Sequence, residues 1–86
     1  MLYFPNVKQV SPLPNHHIKI HYENGEVKIF DVSPYIKGSW FGKLADPDFF
    51  ATVRPCGDTV MWKDGQDIAP HELYEDSVLI SKEGIA

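Results

Sequence analysis

Four side chains within one short window, Asp64, Asp67, His71 and Glu72, are the residues of this chain best suited to chemistry. Carboxylate oxygens and an imidazole nitrogen are ligands for a divalent metal ion, with Asp31 a further candidate if the fold brings it near. The set Asp64, Asp67 and His71 is the basis of one reading, a small metal-dependent or accessory enzyme. Each residue also has a plain structural role. Asp64 precedes Gly65 and suits a turn, and Asp67 can accept from backbone N–H groups entering a helix. His71 and Glu72 fall on the solvent side of that helix's first turn, where acidic groups are favoured. These roles account for all four without a ligand, so no metal and no cofactor is expected.

The other constellations say less. His17 and His21 lie on one face of a predicted strand with Lys19 between them, about 13 Å apart, too far to share one ion. They suit solvent-facing surface groups. Cys56 is the single cysteine, so no disulfide can form within the chain. It sits between Pro55 and Gly57 in a predicted turn. As a nucleophile it would need a lowered pKa and a base, for which His71 is the candidate. Gly57 and Gly65 are isolated, so no phosphate-cradling loop is present. The aromatic residues Trp40, Phe41, Phe49, Phe50 and Trp62 suit either a core or a binding groove. Trp40, Phe41, Phe50 and Trp62 are the candidates for an interaction surface.

The elements that must position these residues are short. Asn6 to Leu13 reads as a first strand, with Val7, Gln9, Ser11 and Leu13 on one face, and Pro12 and Pro14 confine it to an edge. His16 to Tyr22 alternates polar and apolar at period two. Asn24-Gly25 suits a two-residue type I′ hairpin loop, and Glu26 to Val32 returns. In that register Tyr22 pairs with Val27, Ile20 with Ile29 and His21 with Lys28, and Glu23 faces Glu26 beside the turn. Ser33-Pro34 and Asp46-Pro47 are helix-start signatures. Thr52-Val53-Arg54 and Thr59 to Trp62 read as a second hairpin joined through residues 55–58. The last helix is predicted from Pro70 to Asp76, with Leu73 and Tyr74 as its docking stripe. The expected fold is α+β: a single small antiparallel sheet of four or five strands with two or three short helices. Residues 1–80 form the expected domain and 81–86 a flexible tail.

Composition bounds the function. The 86 residues suffice for one domain, which buries roughly 64% of its unfolded surface. An apolar fraction of 43% is too rich for disorder. The net charge of −4, with lysine and arginine scattered singly, gives little for a nucleic-acid backbone to bind and favours a basic protein partner. The opening Met1-Leu2-Tyr3-Phe4-Pro5 lacks the charged and long apolar regions of a secretory signal, and no apolar run reaches membrane-spanning length. A cytoplasmic protein is expected.

An ordered set of residues resembles a known family. It comprises Val10, the turn from Tyr22 to Glu26, Phe30-Asp31-Val32-Ser33-Pro34-Tyr35, Gly38, Phe41, Leu44, Asp46 and Phe49. It closes with the run from Val60 to Pro70 and with Leu73 and Tyr74. Over residues 7 to 75 the chain is similar to the bacterial family known as domain of unknown function 2442. The resemblance implies a small α+β domain without known catalysis. Some relatives carry a C-terminal helix-turn-helix; others are encoded beside a second small protein, as toxin–antitoxin pairs are. This chain departs from the fused form by ending at Ala86, so direct operator binding is not expected of it. The expectation is a non-catalytic interaction module, one member of a toxin–antitoxin-like pair or self-associating. The metal-dependent reading is the alternative, and a transcription-associated regulator a weaker one.

Overall fold

The period-two alternation from His17 to Tyr22 builds the centre of a four-stranded antiparallel sheet. The computed structural model describes residues 4–82. Strands β1 (Val7–Leu13), β2 (His17–Tyr22) and β3 (Glu26–Asp31) follow one another, and β6 (Val78–Lys82) returns to close the order β1-β2-β3-β6. Strands β4 (Arg54–Cys56) and β5 (Thr59–Met61) form a separate two-stranded sheet. Helices α1 (Pro47–Phe50) and α2 (Pro70–Glu75) join short 3-10 turns at 33–35 and 41–45. The α+β architecture agrees with the sequence reading; the strands divide between two sheets instead of one.

The central hairpin corrects the predicted register by one residue. Ile18 pairs with Phe30, Ile20 with Lys28 and His21 with Val27. A type I′ loop needs positive φ at both central residues, yet here only Gly25 has it, at 93°. Asn24 instead accepts the Glu26 N–H on its Oδ1 at 3.0 Å, and Gly25 N–H donates to the Tyr22 carbonyl at 3.1 Å. The loop is therefore three residues, Glu23-Asn24-Gly25, with the glycine in the position only it fills readily. Glu23 lies within the loop, not opposite Glu26. A one-residue slip exchanges the faces of a strand, so Lys28 joins Ile20 on the core side.

The Trp62-Lys63-Asp64-Gly65 segment repeats this turn. Gly65 N–H donates to the Trp62 carbonyl at 2.9 Å, Trp62 N–H donates to the Gln66 carbonyl at 2.8 Å, and φ at Gly65 is 103°. Both turns read aromatic, charged, Asn or Asp, glycine. Elsewhere a bulge between Val7 and Gln9 corrects the first strand's predicted face. Val7 and Val10 pair with Tyr22 and Ile20 on the core side, while Gln9, Ser11 and Leu13 pair with His21, Lys19 and His17. In the small hairpin the loop is Gly57-Asp58, and Pro55 and Cys56 belong to β4.

Two helix starts differ in kind. Asp46 caps α1 as predicted, accepting the Asp48 N–H at 3.0 Å with Pro47 behind it. Ser33 does not cap; it is the first residue of a 3-10 turn, and its N–H donates to Asp31 Oδ1 at 2.9 Å. The last helix begins at Pro70 as expected. Strand β6 was not anticipated. It takes in Ser81 and Lys82, the first two residues of the expected tail; residues 83–86, like Met1–Tyr3, lie outside the described residues.

One face of the sheet carries the core. Ile18, Ile20, Tyr22 and Phe30 pack with Leu44, Phe50, Val60, Trp62, Ile68 and Leu73, so both helices and the small hairpin cover the same side. Burying aliphatic and aromatic groups of this size stabilises by about 1.5–3 kcal/mol each.

Candidate interaction surface

The structure distributes the predicted metal ligands instead of gathering them. Asp64 Oδ2 accepts from Lys43 Nζ at 2.7 Å, an exposed pair on the Gly65 turn. Asp67 is exposed, and its backbone bridges to Met61. It does not prepare the helix as expected: the residue before α2 is Ala69, with no side-chain cap. His71 Nε2 is 4.0 Å from Glu72 Oε2. Glu72 is not a plain solvent group, because its other carboxylate oxygen accepts from the Tyr35 hydroxyl. Among the described residues no three His, Cys, Asp or Glu side chains come together to hold a metal ion. His17 and His21 face away from the core, opposite Asp31 and Val27. Ser33's N–H holds the Asp31 carboxyl below the usual carboxylate range, and His17 lies 3.9 Å away. Cys56 is an exposed free thiol on β4.

The aromatic candidates separate cleanly. Trp62 and Phe50 are buried, which removes them from any surface. Trp62 Nε1–H donates to the Phe50 carbonyl at 3.0 Å, and their rings are 5.8 Å apart. An indole in a core needs such a partner for its N–H, and Phe50 supplies one from the end of α1. Phe41 is partly buried against the same core. Trp40 is exposed. Its carbonyl accepts from buried Gln66 Nε2 at 2.9 Å, and Lys43 Nζ stands 5.5 Å from its ring centre. Lys43, on the 3-10 turn at 41–45, thus links Trp40 to Asp64 of the Gly65 turn.

Two further groups escaped the sequence reading. The first is Lys28, buried on the core side of β3. Its Nζ donates to the Tyr74 carbonyl at the end of α2 and lies 3.8 Å from the centre of the Tyr74 ring. A cation at a helix C-terminus satisfies a carbonyl that the helix itself leaves unbonded. Tyr74 in turn stands edge-on to Tyr22 at 5.2 Å and donates to Glu26. The second is β6 itself. Val78, Leu79 and Ile80 are 65%, 48% and 52% exposed, consecutive on a strand at the end of the sheet. Only a continuous apolar run signals it in the sequence. No helix among the described residues is long and apolar enough to cross a membrane.

An antiparallel sheet with its helices on one face and an open apolar edge defines a small α+β domain. The chain belongs to the family described as "Protein of unknown function (DUF2442)", which matches residues 7–78. The matched span closes at Val78, the first residue of β6. No curated protein and no solved structure matches the chain.

Proposed function

We propose that this domain is a non-catalytic protein-interaction module that binds through the β6 edge. The observation that carries this reading is the run of three exposed large apolar side chains, Val78, Leu79 and Ile80, on a strand that, among the described residues, pairs on one side only. Exposed apolar edges are costly in a soluble domain, and proteins that keep them use them for strand addition. Glu75 and Asp76 stand exposed just before the strand. With a net charge of −4 they favour a basic partner, as in a toxin–antitoxin-like pair of neighbouring genes. Its place of action in this reading is the cytoplasm.

Co-expression with the product of the adjacent gene tests the proposal. The two proteins are expected to elute together from size exclusion, and Leu79→Lys is expected to separate them while the far-ultraviolet spectrum stays that of the wild type. Separate elution of the wild-type pair, with no self-association either, counts against an interaction role.

A further inference from the structure

We infer that the aromatic slot between the end of β3 and the end of α2 receives an arginine side chain of the basic partner. The inference deepens the interaction-module reading and rests on it. The slot is lined by Phe30, Asp31, Pro34, Tyr35 and Asp76 and encloses about 310 Å³. Ligand sites run from about 300 to 1,000 Å³, so this one takes a single side chain and not a cofactor.

Its walls follow from the local sequence. Phe30 is the last core residue of β3 and is buried. The 3-10 turn at 33–35, with Pro34 in it, brings the Tyr35 ring to 5.7 Å from the Phe30 ring, tilted by 42°. The Tyr35 hydroxyl donates to Glu72, which holds that ring by its polar end and ties the turn to α2. Asp76 is the C-cap of α2 and completes the lining.

Charge selects the occupant. Asp31 and Asp76 line the slot and Glu72 sits on its Tyr35 wall, whereas among the described residues no lysine or arginine lines it. Burial, the Glu72 bond and then the charges of Glu72 and Asp76 push the Tyr35 hydroxyl up to about 12, so the carboxylate field reaches the aromatic wall. The Ser33 N–H lowers the Asp31 carboxyl and keeps it ionised. Among the described residues Asp76 has no ion-pair partner, and the buried Lys28 is committed to the Tyr74 carbonyl. A cation is the occupant that both the rings and the carboxylates attract. Arginine fits better than lysine, because its planar guanidinium stacks on rings, pairs with carboxylates through two N–H groups and is more weakly hydrated.

The slot is continuous with the β6 edge. Asp76 stands two residues before Val78, and Phe30 follows Ile29, the residue that pairs with Val78. A strand added to β6 therefore runs off its Val78 end beside the slot, where its next long side chain can enter.

Chemical-shift titration of the isotope-labelled full chain tests this. The probe is Nα-acetyl-arginine methylamide, and the citrulline and lysine counterparts are the controls. The arginine probe is expected to shift the amides of Phe30, Tyr35 and Asp76 saturably; citrulline, nearly the same shape without the charge, is expected to shift none. Asp31→Asn keeps the oxygen that accepts from Ser33, and Asp76→Asn suits a helix end. Each is expected to weaken arginine binding by about threefold to fivefold, and Asp67→Asn, an exposed carboxylate away from the slot, to leave it unchanged. Citrulline or lysine binding as tightly as arginine overturns the inference, as does an affinity that neither slot variant alters. An unfilled slot in a chain that binds the adjacent gene product and loses it on Leu79→Lys overturns the arginine site and leaves the interaction module standing. An unfilled slot in a chain that binds neither that product nor itself overturns both.

Discussion

Tyr22, Tyr35 and Tyr74 hold their phenolic protons more tightly than free side chains do. Burial raises Tyr22 most, with the neighbouring Tyr74 ring and Glu26 adding to it. Burial and the bond to Glu72 push Tyr35 up to about 12. The bond to Glu26 is the main cause for Tyr74. A phenol whose proton is bound more tightly in the fold than in the open chain adds stability that is complete below its ordinary value of 10.0. That contribution is lost as the pH climbs from there through the folded value, so alkaline pH drives the protein toward unfolding. Phenolate absorbance is expected to rise in one cooperative step above pH 10, together with loss of the far-ultraviolet signal. Three independent titrations near the ordinary value with the fold intact would contradict the packing described here. None of this was legible in the residues alone. Tyr22 was readable as apolar by its place in the alternation, but its neighbours are brought from α2, far away in sequence. The same limit applies to Asp64, whose partner Lys43 comes from another segment, and to Trp62 against Trp40, two indoles that composition cannot rank by exposure.

At the scale of elements, local chemistry marked where the chain turns more reliably than how it turns. Asn24-Gly25 announced a hairpin, and a hairpin is present. The two-residue and three-residue loops share that dipeptide, and the choice falls to Asn24. Its side chain takes the Glu26 N–H and leaves only Gly25 at positive φ. The register, and with it the burial of Lys28, follows from that one bond. Asp46-Pro47 and Pro70 were legible because a proline at a helix start has the same meaning in any context. Strand β6 was not, since it follows α2 without a glycine or proline boundary and its extra residue breaks the alternation that marks a strand. Gly25→Ala is expected to cost about 1–2 kcal/mol, the penalty for a Cβ in a left-handed backbone. Urea denaturation checks it: the midpoint should fall with the slope unchanged. An unshifted midpoint would mean that the loop does not need glycine there.

For the molecule as a whole, the two ends of the main sheet have different fates. Beside β1 lies the small hairpin, and β1 carries a proline; β6 ends the sheet with three apolar side chains exposed. The core is thin, so modest association free energies are a large fraction of the total stability. Association through the β6 edge then makes stability depend on partner concentration, since a partner that binds only the folded chain raises its melting temperature by mass action. The melting temperature is expected to climb as the adjacent gene product is added to the wild type and to be flat for Leu79→Lys. Hydrogen exchange locates the cause. Amides of β2, paired on both sides within one chain, should exchange at a rate independent of concentration below the global unfolding limit. Those of β6 that point outward should slow as a partner occupies the edge and stay fast in the variant. If outward β6 amides exchange equally fast at every partner concentration, the edge stays open in solution, and any stabilisation by the partner must then come from a different face of the molecule.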